Sequence, residues 1–152
     1  MTCAAFFFPR RRVVIEHVAD DRKSLLNIRA VLSKGGRAIV LVPQGEWNYG
    51  TLDEVLGHHR RYTRETLARL AHECGMKIEH LVGFNRTGTI AWFLNGKLLK
   101  RRSFGFAQIW MLNLITPLMK AFDRFLPLPP LSLIAVMTPA DDSRDSSILS
   151  QR

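Results

Sequence analysis

Apolar residues recur along this chain in two rhythms, and their alternation sketches an α/β unit. Val13, Val14 and Ile15 form a short β-branched run that stops at Glu16-His17, as a buried strand does where it leaves a sheet. Asp20-Asp21 then supply a helix cap, and Leu25, Ile28, Val31 and Leu32 follow at helical spacing up to a left-handed stop at Gly35-Gly36. Ala38 to Val42 is apolar without interruption, the pattern of a strand covered on both faces of a parallel sheet. Strand, helix and strand within about thirty residues make a βαβ unit. Pro43 to Tyr62 reads as a long polar and aromatic loop at the exit of that strand, where such loops are usually functional. Thr63 caps a second helix with the stripe Leu67, Leu70, Ala71 and Cys74, which Gly75 ends. Met76 to Gly83 predicts a strand. Gly88 to Phe125 predicts helix, apolar on nearly every side and kinked at Pro117, and Leu131 to Met137 a last strand. Pro139 to Arg152, rich in Asp and Ser, predicts a disordered tail.

Composition adds limits. At 152 residues, with 47% hydrophobic and 23% charged residues, the chain is one globular domain at most. A net charge of +9 favours contact with anions, although a solvated basic surface explains it equally well. No RNA-binding signature or zinc-finger spacing accompanies the charge, so nucleic acid is a disfavoured partner. Cys3 and Cys74, far apart, fit a reducing, cytoplasmic setting, with Cys74 as a small buried hydrophobe. Residues 1–12 do not form a secretory signal, because their basic residues follow the apolar ones. Ser103 to Met119 falls just short of the roughly 18 apolar residues of a membrane span.

Taken in order, VIEHV (Val14–Val18), an acidic pair, an amphipathic helix, LSKGG (Leu32–Gly36) and RAIVLVP (Arg37–Pro43) resemble the middle of class I S-adenosylmethionine-dependent methyltransferases of the type 11/12 kind. The segment from His58 to Asn85 looks like the family's next helix and sixth strand, and LSLIAVMTP like its seventh, antiparallel beside the sixth. The resemblance spans about residues 14 to 138 and implies the C-terminal half of the fold. That half is a partial Rossmann-like sheet, the last strands of seven, with a helical cap inserted at about 86–126. Residues 1–12 do not match, and the domain is expected to begin at Val13. The Gly-rich turn and the ribose-binding acid of the family would precede position 14, and no GxGxG occurs here. A truncated product, impaired in activity, is the expectation.

The resemblance implies S-adenosylmethionine as cofactor and a small-molecule, lipid or sugar methyl acceptor. It sets Glu16 and His17 beside the cofactor; the alternative is a strand-end pair that solvates the sheet edge. Some relatives hold a divalent metal through E-x-x-E-H, but Val13 stands where the first carboxylate belongs, so no metal is expected. His58, His59 and Tyr62 are the candidate catalytic residues, a histidine taking the proton of an acceptor hydroxyl; alternatively Tyr62 staples the following helix. Arg60 and Arg61 are candidates to hold an anionic group, and Trp47 and Tyr49 to wall the acceptor pocket or to pack over the sheet edge. The basic cluster from Lys97 to Arg102 and the aromatic helix after it suit a peripheral membrane contact, against a packed cap with solvated charges. A non-catalytic module that completes a partner's sheet is the remaining reading. The first strand has an edge that invites self-association. Marginal stability with concentration-dependent association is therefore expected in analytical ultracentrifugation, and a monomer with a cooperative thermal transition would refute it.

Overall fold

The computed structural model describes residues 12–140 except 14, 34, 104, 107–109, 112–113, 115–116, 118–122 and 124. Among these the strands are β1 (Arg12–Val13), β2 (Ala38–Pro43), β3 (Met76–Phe84) and β4 (Ser132–Pro139). They form one mixed sheet in the order β1-β2-β4-β3. Arg12 pairs with Ile39 and Val13 with Val40 in parallel, and α1 (Asp21–Val31) makes the crossover between them. The β-α-β unit read from the sequence is thus present, although β1 begins at Arg12 and Ile15 lies beyond it, fully buried. No strand pairs with the outer edge of β1 among the described residues.

β4 runs antiparallel to β3, as the resemblance implied, and it also inserts between β3 and β2. Alternation explains the placement. Leu133, Ala135 and Met137 are all fully buried, and in register they extend the layer of Ala38, Val40 and Val42. Leu25 of α1 and Leu67 and Ala71 of α3 (Arg64–Glu73) belong to the same core. Burial of each such side chain is worth about 1.5–3 kcal/mol. The other face is less covered: Ile39, Leu41, Ile134 and Val136 are half-buried, which corrects the expectation that β2 is enclosed on both sides.

Local signals account for α3. The Thr63 hydroxyl accepts from the Thr66 N–H at 3.1 Å, and the helix gives way to Gly75 at φ +64°, a left-handed position that favours glycine. Cys74 is buried as expected, and burial pushes its thiol up. In α1 the boundary differs from the reading. The helix ends on an extended Leu32, Val31 is exposed, and Gly35 turns left-handed only three residues later.

Two segments depart further. Pro43 to Tyr62 is not a plain loop: it holds a 3-10 turn, Glu46–Asn48, and α2, Thr51–Leu56. Six residues are too few to show a helical rhythm, and glycines flank them. Gly50 is required there because a Cβ would come within 2.7 Å of the Gly96 carbonyl oxygen. The stretch expected to be one helix from Gly88 is α4 (Arg86–Trp92) continuing into a π-helical turn (Phe93–Leu98), then a break through Arg101 with Lys100 at φ +46°. The basic cluster lies at this break. Phe106, Trp110, Met111 and Leu114 are helical again but exposed, so they are not a cap packed on the sheet. Pro117 is itself helical and exposed, but its neighbours on both sides lie outside the described residues, so the expected kink is not described. Pro139, expected in the tail, still pairs with Met76 in β4, and the tail beyond Ala140 lies outside the described residues.

Candidate functional site

Glu16 and His17 occupy the turn that follows β1, and the chain from Gln44 to Tyr62 folds over the same end of the sheet. Two strand-like bonds close it: His59 N–H donates to the Glu16 carbonyl at 2.8 Å, and Tyr62 N–H to the Pro43 carbonyl at 2.9 Å. At their centre is a residue the sequence reading passed over. Asp53 of α2 is fully buried, and its carboxylate accepts from four donors. Oδ1 takes His58 Nδ1 at 2.8 Å and Arg61 Nε at 2.9 Å; Oδ2 takes Trp92 Nε1 at 3.0 Å and Gly50 N at 3.1 Å. Burial raises the Asp53 carboxyl, but hydrogen bonds from His58, Arg61 and Trp92 outweigh it and hold it below its ordinary 3.8. Arg61, also buried, lies over the Trp92 ring at 5.2 Å and donates to the Gln44 carbonyl at 3.0 Å.

This network orients His58. A carboxylate only accepts, so Nδ1 carries a proton and the neutral ring keeps its lone pair on Nε2. His17 is set the same way by donating Nδ1–H to the Gly57 carbonyl at 3.3 Å, and its ring meets His58 edge-on with centroids 4.7 Å apart. Glu16 completes the group. One donor atom each of Glu16, His17 and His58 lies within 4.8 Å of the others, a set of two imidazoles and a carboxylate whose chemistry suits a proton relay and also a divalent cation. Glu16 Oε2 is buried with no partner, and burial raises its carboxyl above the ordinary 4.5. A cavity of about 170 Å³, lined by Glu16, Leu41, His58, Arg61, Trp92 and Leu131, opens beside the group. A larger concavity of about 350 Å³ near Arg29 and Pro139 lies at the opposite end of the sheet, away from this chemistry.

The candidates sort clearly against this geometry. Glu16, His17 and His58 come together. His59 contributes its backbone to the closure while its ring stays exposed. Tyr62 is buried and donates its hydroxyl to Asp21 at 2.8 Å; burial and that carboxylate push its ionisation far up. Arg60 pairs with Asp21 at 2.8 Å and Arg61 with Asp53, so an anionic ligand would have to displace a carboxylate. Tyr49 donates to the His58 carbonyl at 2.9 Å, and Trp47 lies half-exposed at 6.0 Å from the Phe93 ring. Asp53 had a faint signal, an acid five residues before His58. Trp92 had none, being 39 residues from its partner. Gln44 Oε1 and both amide atoms of Asn48 are further buried groups without a partner.

Replacing Asp53 with alanine leaves Arg61 buried and unpaired, and a loss of about 3–5 kcal/mol in denaturant unfolding is expected. The folded carboxyl lies below its unfolded value, so this stability is complete above pH 3.8 and is lost as pH falls through the depressed value. Glu16 has the opposite sign. Its folded carboxyl lies above 4.5, so the folded state binds more protons and stability declines as pH rises past that value. Glu16→Gln should therefore raise the melting temperature at pH 7 by about 2–4 °C, as expected for about 1 kcal/mol, and the gain should vanish below pH 4.5. A zinc titration of the same two proteins separates the two uses of the cluster, since a cation held by three donors stabilises only the wild type.

No protein-family model and no curated protein matches this chain. Among solved structures it is similar to one named "putative methyltransferase" from Bacillus halodurans C-125, at 14% identity and a TM-score of 0.47, over 85% of this chain and 67% of that one. At that score the likeness is too loose to carry an argument on fold or function.

Proposed function

We propose that this chain provides the acceptor side of an S-adenosylmethionine-dependent methyl transfer, with His58 as the proton acceptor. The observation that carries the reading is the His58–Asp53 pair at a cavity beside the carboxyl ends of β1 and β2, where open α/β sheets bind ligands. The VIEHV, LSKGG and RAIVLVP segments support it, as does the final strand lying antiparallel beside its predecessor. The residues fit the polar end of S-adenosylmethionine and not its full length. Glu16 Oε2 is a buried acceptor without a donor, but the cavity of about 170 Å³ is below the roughly 300–1,000 Å³ usual for small-molecule sites. When bound, that cofactor supplies a methyl group on a sulfonium centre. This chain's own part is positioning and proton acceptance. A hydroxyl of the acceptor approaches Nε2 of His58, which takes its proton as the oxygen becomes a nucleophile, while Asp53 steadies the charged ring. Glu16 and His17 orient polar groups of the ligand. The acceptor is a small molecule, a lipid or a sugar.

A second reading, a non-catalytic module that completes a partner's sheet, draws on the unpaired outer edge of β1. Transfer of tritiated methyl from S-adenosylmethionine into lipid and sugar extracts tests the first. His58→Gln should lower the rate by about 10²–10⁴-fold. No transfer by the wild type, together with no calorimetric heat at millimolar S-adenosylmethionine, would overturn it in favour of the second.

A further inference from the structure

The break after the π-helical turn and the helical residues that follow have an unusual surface. Phe106, Trp110 and Leu114 fall at successive four-residue steps, one face of a helix, and they are 87%, 62% and 63% exposed. Such a stripe in water is costly and marks a surface made for another phase or partner. Leu98 and Leu99 beside the break are exposed as well, at 64% and 55%. Lys100, Arg101 and Arg102 lie between these two apolar groups, all exposed, and Lys97, also exposed, precedes them and donates to the Trp47 carbonyl. From Arg86 to Phe122 the chain contains no Asp or Glu, so the segment carries a net positive charge in its own sequence.

We propose that this face docks on an anionic lipid bilayer, with Lys100, Arg101 and Arg102 at the headgroups and Phe106, Trp110 and Leu114 in the boundary beneath them. Charge complementarity selects the occupant. A cationic cluster bordered by large apolar side chains matches a surface that is negative outside and apolar a few ångströms in, and interfacial helices are recognised by that pairing. Tryptophan is the residue best suited to that boundary, since its ring is apolar and its N–H stays within reach of the headgroups. No helix among the described residues is long and apolar enough to cross a membrane, and the contact proposed is an interfacial one. The stripe and the candidate site use different residues, and the proposal stands independently of methyl transfer.

The test is sedimentation of the full chain with vesicles at low ionic strength. Half phosphatidylglycerol, half phosphatidylcholine vesicles should pellet it, and pure phosphatidylcholine should not. Changing Lys100, Arg101 and Arg102 together to glutamine should weaken binding by roughly a hundredfold, about fivefold for each charge. Phe106→Ser with Trp110→Ser should abolish it, and a blue shift of tryptophan emission on binding should be missing in Trp110→Phe. Absence of pelleting with anionic vesicles would overturn the proposal. So would binding that the serine variant retains, or equal retention of that variant on a single-stranded oligonucleotide, which would mark a general polyanion patch.

Discussion

A fully buried carboxylate has to find donors for all of its lone pairs or forfeit several kcal/mol, and Asp53 meets this demand with four donors drawn from three stretches of chain. Its own helix start at Gly50, the histidine and arginine that follow α2, and Trp92 from α4 converge on two oxygen atoms. The convergence folds what would otherwise be a long exit loop down onto the sheet. It also sets the tautomer of His58 and brings that ring against His17 and Glu16. The candidate site therefore depends on a group that touches no ligand itself.

The same network explains why the polar residues of this region divide so unevenly. Arg60, Arg61, Tyr49 and Tyr62 have the right chemistry for recognition, yet each is committed to an internal partner. Glu16 has none for Oε2, and its raised carboxyl records the cost of that exposure to a poor dielectric. A cluster of two imidazoles and a carboxylate with an unanswered acceptor is unstable by itself. It is settled by a proton, a cation or a ligand donor. The basic, aromatic surface of the later helical segment is a separate device, since none of its exposed side chains lines the cavity.

Much of the framework was legible because it rests on local rules. Thr63 and Gly75 delimit α3, and Asp20 accepting from Lys23 N begins α1. The apolar run from Ala38 to Val42 and the alternation of Leu133, Ala135 and Met137 announce strands wherever the chain carries them. Legibility failed where a short element gains its stability from afar. α2 is six residues long and held by Asp53, Leu52 and the close approach to Gly96, none of which leaves a periodic trace. The break at Lys100 was hidden for a related reason: the leucines, lysines and arginines around it are all good helix formers, and no proline or glycine follows Lys97 closely enough to mark a stop.

By itself the sequence determined the alternation of strands and helices, the parallel β1–β2 pair with its crossover helix, and the presence of Glu16-His17 at the exit of the first strand. These follow from side-chain spacing, caps and glycine, which act within a few residues. Only the tertiary structure decided which histidine turns inward, which arginines are spoken for, and that β4 slides between β2 and β3. Those outcomes depend on hydrogen bonds and packing between residues tens of positions apart, where no local pattern records the partner.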